Sequence, residues 1–558
     1  MMIREEVQKR LKKACEELKE KGLIPEGLTI EPHIETPREK DFGDYSTNLA
    51  FLLSKELKKS PEDIAFLLKD RLPLQDMCEK IDVAGRGFLN FYLKDSFLKD
   101  RFFELFLRGV PSFFPDLGKG KRVLLEFVSS NPTGPLHVGH GRCAAFGDVL
   151  SELLKRTGYD VTKEYYINDA GKQMETLGES VYFRIKEHLG EKVDFPENFY
   201  KGEYVREIAR EIIERKIALP EDKRESIKFL AKYASERIMA KIIEDLEDFG
   251  VTFDSFKKES ELFESGMVDM TLSSLQESGY LYEKDGAIWF RTSLFENDED
   301  RVLIKSDGEK TYFTSDIAYH REKFLRGYDL LINVWGSDHH GYVPRIMAAL
   351  SAMNLNKEKL KIILIQFVTL LKDGKPVGMS TREATYTTLR ELLEEVGRDA
   401  GRFWFLTRKN DAHLEFDLDL AKKKTNENPV YYVQYAHARI ESIMRNAKEE
   451  GLNINWLETK NVNGRIVHLL ELKEEMELIK TAFRFFDVLE NAAKNMEPHR
   501  ITYYLIELAG KFHSYYNTTR VLQEKRDLAS ARMLLVHVIK EIIREGLNIL
   551  GVSAPSRM

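Results

Sequence analysis

The stretch Asn131-Pro132-Thr133-Gly134-Pro135-Leu136-His137-Val138-Gly139-His140 decides the fold of this chain. It follows Arg122 to Val128, an apolar run that one carboxylate interrupts and that is typical of a buried strand, and a helix pattern begins near His137. A second strand pattern runs from Asp160 to Ile167. This order predicts a βαβ unit of a parallel sheet, with ligands bound at the carboxyl ends of its strands.

The same stretch has the features of a phosphate site. Proline and glycine set the turn, Gly139 lets a flat ligand approach the backbone, and His137 and His140 lie on one helical face. Two imidazoles at a helix N-terminus suit a polyphosphate whose α-phosphate gains charge during in-line attack. Two ordinary histidines near a helix cap, or a zinc pair, are the alternatives, although no further zinc ligand follows at a suitable spacing.

The length and composition of the chain exclude several classes of protein. The 558 residues suit three domains of about 100 to 200 residues each. With 43% hydrophobic and 32% charged residues, the chain is neither disordered nor fibrous. The net charge of −7 gives by itself no reason to expect nucleic acid.

The absence of membrane and signal segments predicts the location of the protein, and the spacing of its cysteines predicts their redox state. We find no apolar run of about 18 residues and no signal peptide, so we expect a cytoplasmic protein without a membrane partner. Cys15, Cys78 and Cys143 lie too far apart for a disulfide framework or a four-cysteine zinc site. We expect them to be buried thiols.

Three domains are predicted. Residues 1–110 are typical of a small α+β domain, and residues 111–398 of a Rossmann-like domain that a mostly helical insertion interrupts at about 173–274. Residues 399–558 show one helix pattern after another and predict an α-helical bundle. After the insertion, strand patterns return at Gly286 to Arg291, Val302 to Lys305, Leu330 to Trp335 and Lys361 to Phe367.

The histidine stretch resembles the HIGH signature of class I aminoacyl-tRNA synthetases, and its flanks resemble the arginyl-tRNA synthetase family. A lone HxGH would be moderate evidence, because cytidylyltransferases carry it too. The likeness extends over most of the chain in six blocks that keep the family's order: Asp41 to Ala50, Glu126 to Asp148, Glu164 to Gln173, Thr311 to His320, Trp335 to His340 and Asn428 to Arg439.

The resemblance implies a monomeric ligase that joins arginine to tRNA(Arg) in two steps. Arginine and ATP give arginyl-adenylate and pyrophosphate, and the arginyl group then passes to the terminal ribose of the tRNA. By this resemblance the catalytic residues His137 and His140 hold the ATP phosphates, and Gly139 lies beneath the adenosine. Mg²⁺ would accompany the nucleotide, without a dedicated protein cage.

Recognition of arginine has its own physical requirement. A guanidinium is planar, permanently charged and presents a fork of donors, so a selective pocket needs carboxylates that receive the fork. Glu126 interrupts a buried strand, and Tyr312 and Asp316 belong to a block that resembles the family's arginine-binding helix. For Glu126, a salt bridge to a neighbouring Arg or Lys remains the alternative. The resemblance adds three residues near the other end of the arginine: Ser129, Asn131 and His339.

The second signature loop of this class, normally KMSKS, departs from its pattern here. Val377 to Arg382 is the matching segment, with Gly378 and Thr381 where lysines are usual. Some arginyl enzymes compensate with a lysine just before the HIGH motif, but this chain has Gly134 there.

Other residues are therefore candidates for the missing positive charge. We expect Met379 and Ser380 to contact ATP as in the family, and Arg382, Lys375 or Lys372 to supply a cation in catalysis, with a slight preference for Arg382. Lys372 and Lys375 also fit a simpler interpretation as solvated turn residues.

The two outer domains resemble tRNA-binding parts of the family. In the C-terminal part, Tyr431 and Tyr435 would stack on anticodon bases and Arg439 would contact phosphate, although tyrosines at helical spacing also occur in cores. The N-terminal domain resembles the one that contacts the tRNA elbow, with Asn48 in its matching block.

Two other functions stay open at this point. One is another class I synthetase, such as the lysyl or cysteinyl enzyme, although the chain lacks the Cys and His cluster of a zinc-dependent cysteinyl enzyme. The other is a non-catalytic RNA-binding relative, which the altered second loop suggests.

Overall fold

The computed structural model describes residues 2–37, 39–295, 299–377, 387–522 and 525–558. The N-terminal domain packs helices against an antiparallel sheet of order β1-β3-β2. Residues 28–37 form no strand, and within them Glu35 makes an isolated bridge to Ser46. The elements of this domain are α1 (Ile3–Glu20), β1 (Tyr45–Thr47), α2 (Leu49–Leu57), α3 (Pro61–Lys69), β2 (Cys78–Ala84), β3 (Phe88–Leu93) and the connecting α4 (Asp95–Arg108).

The second domain is built on a parallel five-stranded sheet, and its chain crosses from one half of that sheet to the other through several helices. Its first elements are β4 (Arg122–Glu126), α5 (Val138–Arg156), β5 (Asp160–Ile167), α6 (Lys172–His188), α7 (Glu203–Glu214), α8 (Lys223–Asp248), β6 (Ser255–Lys258), α9 (Glu259–Glu264) and α10 (Met267–Glu277). Then follow β7 (Leu281–Lys284), β8 (Ala287–Phe290), β9 (Arg301–Ile304), α11 (Tyr312–Leu325), β10 (Leu330–Gly336), α12 (Val343–Ala352) and β11 (Leu360–Ile365).

The strand order β11-β10-β4-β5-β6 has β4 at its centre. From β4 the chain moves outward to β5 and β6 on one side, and later returns to β10 and β11 on the other. That is the topological switch point at which open parallel sheets bind ligands. β6 lies within the predicted insertion of 173–274, so the insertion contains an edge strand as well as helices, and β7 to β9 form a separate antiparallel sheet.

The helix α5 packs close beneath the sheet because small residues face it. A side chain at Gly147 would meet the Phe127 ring at 2.3 Å, so glycine allows this approach. The strand β4 is apolar and buried at Val123, Leu124 and Leu125, as its pattern predicts.

The last part of the chain is mostly helical. A small sheet of β12 (Val368–Lys372), β13 (Lys375–Pro376) and β14 (Leu414–Asp417) lies next to it, which the sequence analysis did not predict. The remaining helices are α13 (Leu389–Val396), α14 (Arg398–Phe405), α15 (Leu418–Lys422), α16 (Pro429–Glu449), α17 (Trp456–Thr459), α18 (Lys473–Asn495), α19 (His499–Thr518) and α20 (Arg526–Leu550). The parallel sheet, the α+β domain and the helical bundle confirm the predicted fold class.

A buried arginine connects the sheet domain to the helical bundle. Arg402, with no exposed surface, donates to Asp148 Oδ2 at 2.6 Å, to the Leu550 carbonyl at 2.8 Å and to the Phe249 carbonyl at 3.1 Å. The other oxygen of Asp148 accepts from Lys163 at 3.0 Å. The carboxylate is therefore paired on both sides, as a buried charge requires.

The three cysteines are free and buried, as predicted. Burial raises the pKa of Cys15 to about 11 and those of Cys78 and Cys143 to about 12. Among the residues that the structure describes, no helix combines the length and apolar character needed to cross a membrane.

Candidate active site

A cavity of about 870 Å³ opens at the carboxyl ends of β4, β5, β10 and β11. It lies at the switch point of the sheet, where ligand binding is expected. Two larger cavities, beside α8 and beside α16, lie away from the histidine signature. Nine residues predicted for ATP or arginine line this one cavity: Glu126, Ser129, Asn131, His137, Gly139, His140, Tyr312, Asp316 and His339.

The turn that leaves β4 is strained. Val128 and Ser129 have φ values of 67° and 41°, in the left-handed region that residues other than glycine rarely adopt. The Ser129 N–H donates to the Phe127 carbonyl at 3.0 Å, which closes a tight turn. Such conformations cost about 1–3 kcal/mol each and cluster at ligand sites. Here the strain turns the Ser129 hydroxyl back toward Glu126 Oε1, at 2.9 Å.

His137 is the N-cap of α5, and its ring stacks on that of His140 with centroids 3.7 Å apart. His137 Nδ1 accepts from the Gly139 N–H at 3.1 Å, and His140 Nδ1 accepts from the His137 N–H at 3.3 Å. Each Nδ1 is therefore an acceptor, which leaves Nε2–H as the donor of each neutral ring. A side chain at Gly139 would meet the His137 ring at 2.9 Å.

Both rings are neutral near pH 7. Burial lowers the pKa of His137, and burial together with the neighbouring His137 lowers the pKa of His140 to about 3. The paired imidazoles thus offer two hydrogen-bond donors without net charge.

At the opposite end of the cavity, Tyr312 and Asp316 lie one turn apart on α11. Asp316 Oδ2 accepts from the Tyr342 hydroxyl at 2.8 Å. Burial, followed by the nearby carboxylates of Glu259 and Glu126, raises the pKa of Asp316 to about 7. No ion pair among the described residues includes Asp316, so its carboxylate lacks the cation that would stabilise it.

Glu126 has an internal partner. Its Oε2 is in contact with Lys323 Nζ, and Lys323 also donates to Asn333 Oδ1 at 2.8 Å. Lys323 has no exposed surface. The salt bridge considered as an alternative for Glu126 is therefore present, while the carboxylate still lines the cavity.

A second unpaired carboxylate, which the sequence analysis missed, lies behind Asp316. Glu259, at the start of α9, is 3% exposed, and burial raises its pKa. It accepts from Ser315, and no ion pair of the described residues includes it. Nearby, the buried Tyr166 hydroxyl has no hydrogen-bond partner in the described part of the chain. A signal was present, because Glu259 directly follows β6 at the same sheet edge as Glu126.

The other predicted arginine residues surround these acids. Asn131 Nδ2 donates to Gln173 Oε1 at 2.7 Å, and the Tyr312 hydroxyl accepts from the Gln173 backbone N–H. His339 is more exposed and lies 3.6 Å from Asp338.

Most of the second signature segment lies outside the residues that the structure describes. Met379, Ser380 and Arg382 lie outside the described residues. Where the description resumes, Thr388 forms a bridge with His137.

The two lysines before that segment lie away from the cavity. Lys375, in β13, is exposed and is not among the residues that line it. Lys372 pairs with Glu395 at 3.4 Å.

The predicted tRNA residues lie far from the cavity. Tyr431 and Tyr435 stack on one face of α16, and the Arg439 guanidinium lies between the rings of Tyr435 and Tyr516, 4.5 and 4.9 Å from their centroids. In the N-terminal domain, the buried Asn48 Oδ1 has no hydrogen-bond partner among the described residues.

The described residues offer no preformed metal site. They contain no group of three or more His, Cys, Asp or Glu residues that could hold a metal ion.

Family models match most of the chain. The model described as "tRNA synthetases class I (R), catalytic domain" matches residues 110–440. "Arginyl tRNA synthetase N terminal domain" matches residues 2–93, and "DALR anticodon binding domain" matches residues 433–558.

Individual proteins give the same result. The chain is 46% identical over 541 residues to the arginine–tRNA ligase of Citrifermentans bemidjiense, covering 96% of this chain and 97% of that protein. It is 46% identical to the Aquifex aeolicus arginine–tRNA ligase, covering 94% and 96%. A crystal structure of a putative arginyl-tRNA synthetase from Campylobacter jejuni superimposes with a TM-score of 0.75 at 36% identity, covering 84% of this chain and all of that one.

Proposed function

Because the chain belongs to the class I arginyl-tRNA synthetase family and ligates arginine to tRNA with ATP, we propose that the cavity at the switch point carries both steps of this reaction. The observation that carries the proposal is the Asp316 carboxylate, which is in no ion pair of the described residues and lines the same cavity as two imidazole donors, while Glu259 lies close enough to raise its pKa. A cation and a triphosphate are the ligands that these two ends fit.

The substrate guanidinium binds at the acidic end. Asp316 and Glu259 receive the planar fork, and the Tyr312 hydroxyl covers it. The charge of Glu126 is already balanced by Lys323. Its carboxylate forms part of the cavity wall and accepts a hydrogen bond from Ser129, which holds that side chain in place. Lysine carries the same charge as a point-like ammonium and cannot satisfy two separated carboxylates, which costs several kcal/mol when acceptors stay unpaired.

Asn131 and Ser129 orient the α-amino and carboxylate groups, with His339 near that end. An oxygen of the arginine carboxylate then attacks the α-phosphorus of ATP, the bond to the β-phosphate oxygen breaks, and pyrophosphate leaves. The enzyme needs no covalent nucleophile, because its contribution is positioning and charge stabilisation.

The ATP phosphates accept from the Nε2–H groups of His137 and His140, and Gly139 lies under the adenosine. In this proposal Met379, Ser380 and Arg382 complete the nucleotide site, whereas Lys375, which is exposed and does not line the cavity, is left out of it. Mg²⁺ arrives with the phosphates in this proposal.

The terminal ribose of tRNA(Arg) then attacks the arginyl carbonyl, and AMP leaves. In the proposal, Tyr431, Tyr435 and Arg439 bind anticodon nucleotides by stacking and charge, and Asn48 belongs to the domain that contacts the tRNA elbow. We propose a cytoplasmic monomer with domains at 1–110, 111–398 and 399–558; analytical ultracentrifugation tests the monomer.

Aminoacylation of total tRNA with each of the twenty amino acids tests the function. We expect charging with arginine alone, at least about 10³-fold above lysine. Charging with another amino acid would contradict the assignment of Asp316 and Glu259. Binding of tRNA without charging would indicate a non-catalytic relative.

A further inference from the structure

The phosphate end of the cavity is short of positive charge. His137 and His140 are neutral donors, whereas Glu126, Asp316 and Asp338 line the same cavity. Pyrophosphate gains negative charge as it leaves, and neutral dipoles compensate that charge less well than a cation does. Among the described residues that line the cavity, Lys201 is the sole lysine or arginine.

Lys201 belongs to a segment of the insertion, residues 199–204, that we call the strap. The strap follows the connection from α6, includes the first two residues of α7, and contributes Phe199, Tyr200, Lys201, Gly202 and Tyr204 to the cavity lining. At one end the Tyr204 hydroxyl donates to the Thr133 carbonyl at 2.6 Å, which fixes the strap to the histidine signature beside Gly134.

The other end of the strap lies near the arginine site. The Tyr200 N–H donates to Ser180 Oγ at 3.0 Å. Burial, and to a smaller extent neighbours that include Glu259 and Tyr200, raise the pKa of Tyr312, so Tyr200 is close to that ring. Lys201 therefore lies between the arginine end and the signature turn, where the carboxylate and the α-phosphate meet.

The Lys201 ammonium is available for a ligand. It is exposed and takes part in none of the ion pairs formed within the described ranges. Lys372, by contrast, is held by Glu395 at 3.4 Å.

We propose that Lys201 supplies the cationic contact to the ATP phosphates that Gly134, Gly378 and Thr381 cannot supply. The inference rests on the reaction proposed for the same cavity. The ammonium stays protonated throughout, and it stabilises the charge that passes to pyrophosphate as the bond between the α-phosphorus and the bridging oxygen breaks. The insertion then has a catalytic role.

Three variants test this assignment: Lys201→Met, Lys201→Arg and the matched control Lys192→Met. Lys192 is exposed on the same connection but does not line the cavity. Arginine-dependent pyrophosphate exchange is measured with saturating tRNA, and kcat and KM are determined separately for ATP, arginine and tRNA. We expect Lys201→Met to lower kcat/KM for ATP by about 10- to 100-fold, mainly in kcat, with KM for arginine unchanged.

Lys201→Arg keeps the charge, so we expect it to stay within about threefold of the wild type, and Lys192→Met to match the wild type. The inference is wrong if Lys201→Met exchanges as fast as Lys192→Met. It is also wrong if only KM for tRNA rises, or if Lys201→Arg loses as much activity as Lys201→Met. A wild-type protein without arginine-dependent exchange would instead remove the proposed function.

Discussion

Two regions of this molecule bury acidic side chains, and they differ in whether the protein itself supplies the cation. At the junction of the sheet and the bundle, Asp148 is held by Arg402 and Lys163 at 2.6 and 3.0 Å. In the cavity, Asp316 accepts from the Tyr342 hydroxyl and is in no ion pair of the described residues; Lys323 lowers its pKa less than burial and the nearby Glu259 raise it.

Whether the protein supplies the cation distinguishes buried carboxylates that stabilise the fold from buried carboxylates that bind a ligand. A buried carboxylate without a cation is costly, and a fold keeps it when a ligand completes the pair. Glu126 is intermediate, since Lys323 neutralises it although it lines the cavity. Substitutions in the two regions should therefore have opposite consequences for stability and activity.

Asp316→Asn should have the largest effect. We expect kcat/KM for arginine to fall about 10⁴-fold, roughly 5.5 kcal/mol, because the guanidinium loses its ionic partner. Pyrophosphate exchange at varied arginine measures this loss. Because the pKa is raised from 3.8 to about 7, Asp316 costs the ligand-free fold stability as the pH rises between these values, and the full cost persists at pH 8, where Asp316→Asn should therefore raise the melting temperature. Unchanged arginine kinetics would contradict the specificity assignment.

Arg402→Met should act in the opposite way. Removing one partner of a buried pair costs about 3–5 kcal/mol, because Asp148 keeps a charge that Lys163 alone must balance. Urea denaturation followed by tryptophan fluorescence measures the loss. Below the transition, arginine-dependent exchange should remain close to that of the wild type. A loss below about 1 kcal/mol would mean that the junction tolerates an unpaired acid.

His140→Ala removes a neutral donor rather than a charge. We expect kcat for exchange to fall about 10²- to 10³-fold, or about 2.7–4 kcal/mol, while KM for arginine stays near the wild-type value. Steady-state exchange at varied arginine and ATP separates the two parameters. An affinity defect for arginine with normal kcat would contradict the phosphate role.

The pH dependence should give the smallest effect. The pKa of Asp316 is about 7 in the ligand-free protein, and arginine binds its ionised form, so binding releases a proton. We expect kcat/KM for arginine to rise about tenfold between pH 6 and a pH slightly above 7, and then to level off. The pKa of His140 is lowered to about 3, so His140 should not titrate in this window. Asp316→Asn should lack the rise.

The sequence predicted what depends on local pattern and on spacing. The βαβ unit, the capped helix at His137 and the convergence of Glu126 and Asp316 on one sheet edge all follow from strand and helix periodicity and from the six matching blocks. It did not predict contacts between distant segments. Lys323 meets Glu126 across 197 residues, and only the packing of α11 beside β4 decides that pairing.

The function of charged segments was also difficult to predict from the sequence. Glu259 and Lys201 belong to polar stretches that resemble solvated surface, and only the folded structure shows that Lys201 lines the cavity and that Glu259 lies near Asp316. The strands β12 to β14 are short and half-exposed, which weakens the alternation that reveals a strand.

The buried cysteines make this chain convenient for spectroscopy. Cys15, Cys78 and Cys143 are shielded, and burial keeps their thiols protonated at neutral pH. A maleimide dye should therefore react much faster with one cysteine introduced at the exposed Lys192 than with the native thiols. A dye at position 192 would thus allow fluorescence experiments that follow the insertion during turnover, without replacement of the native cysteines.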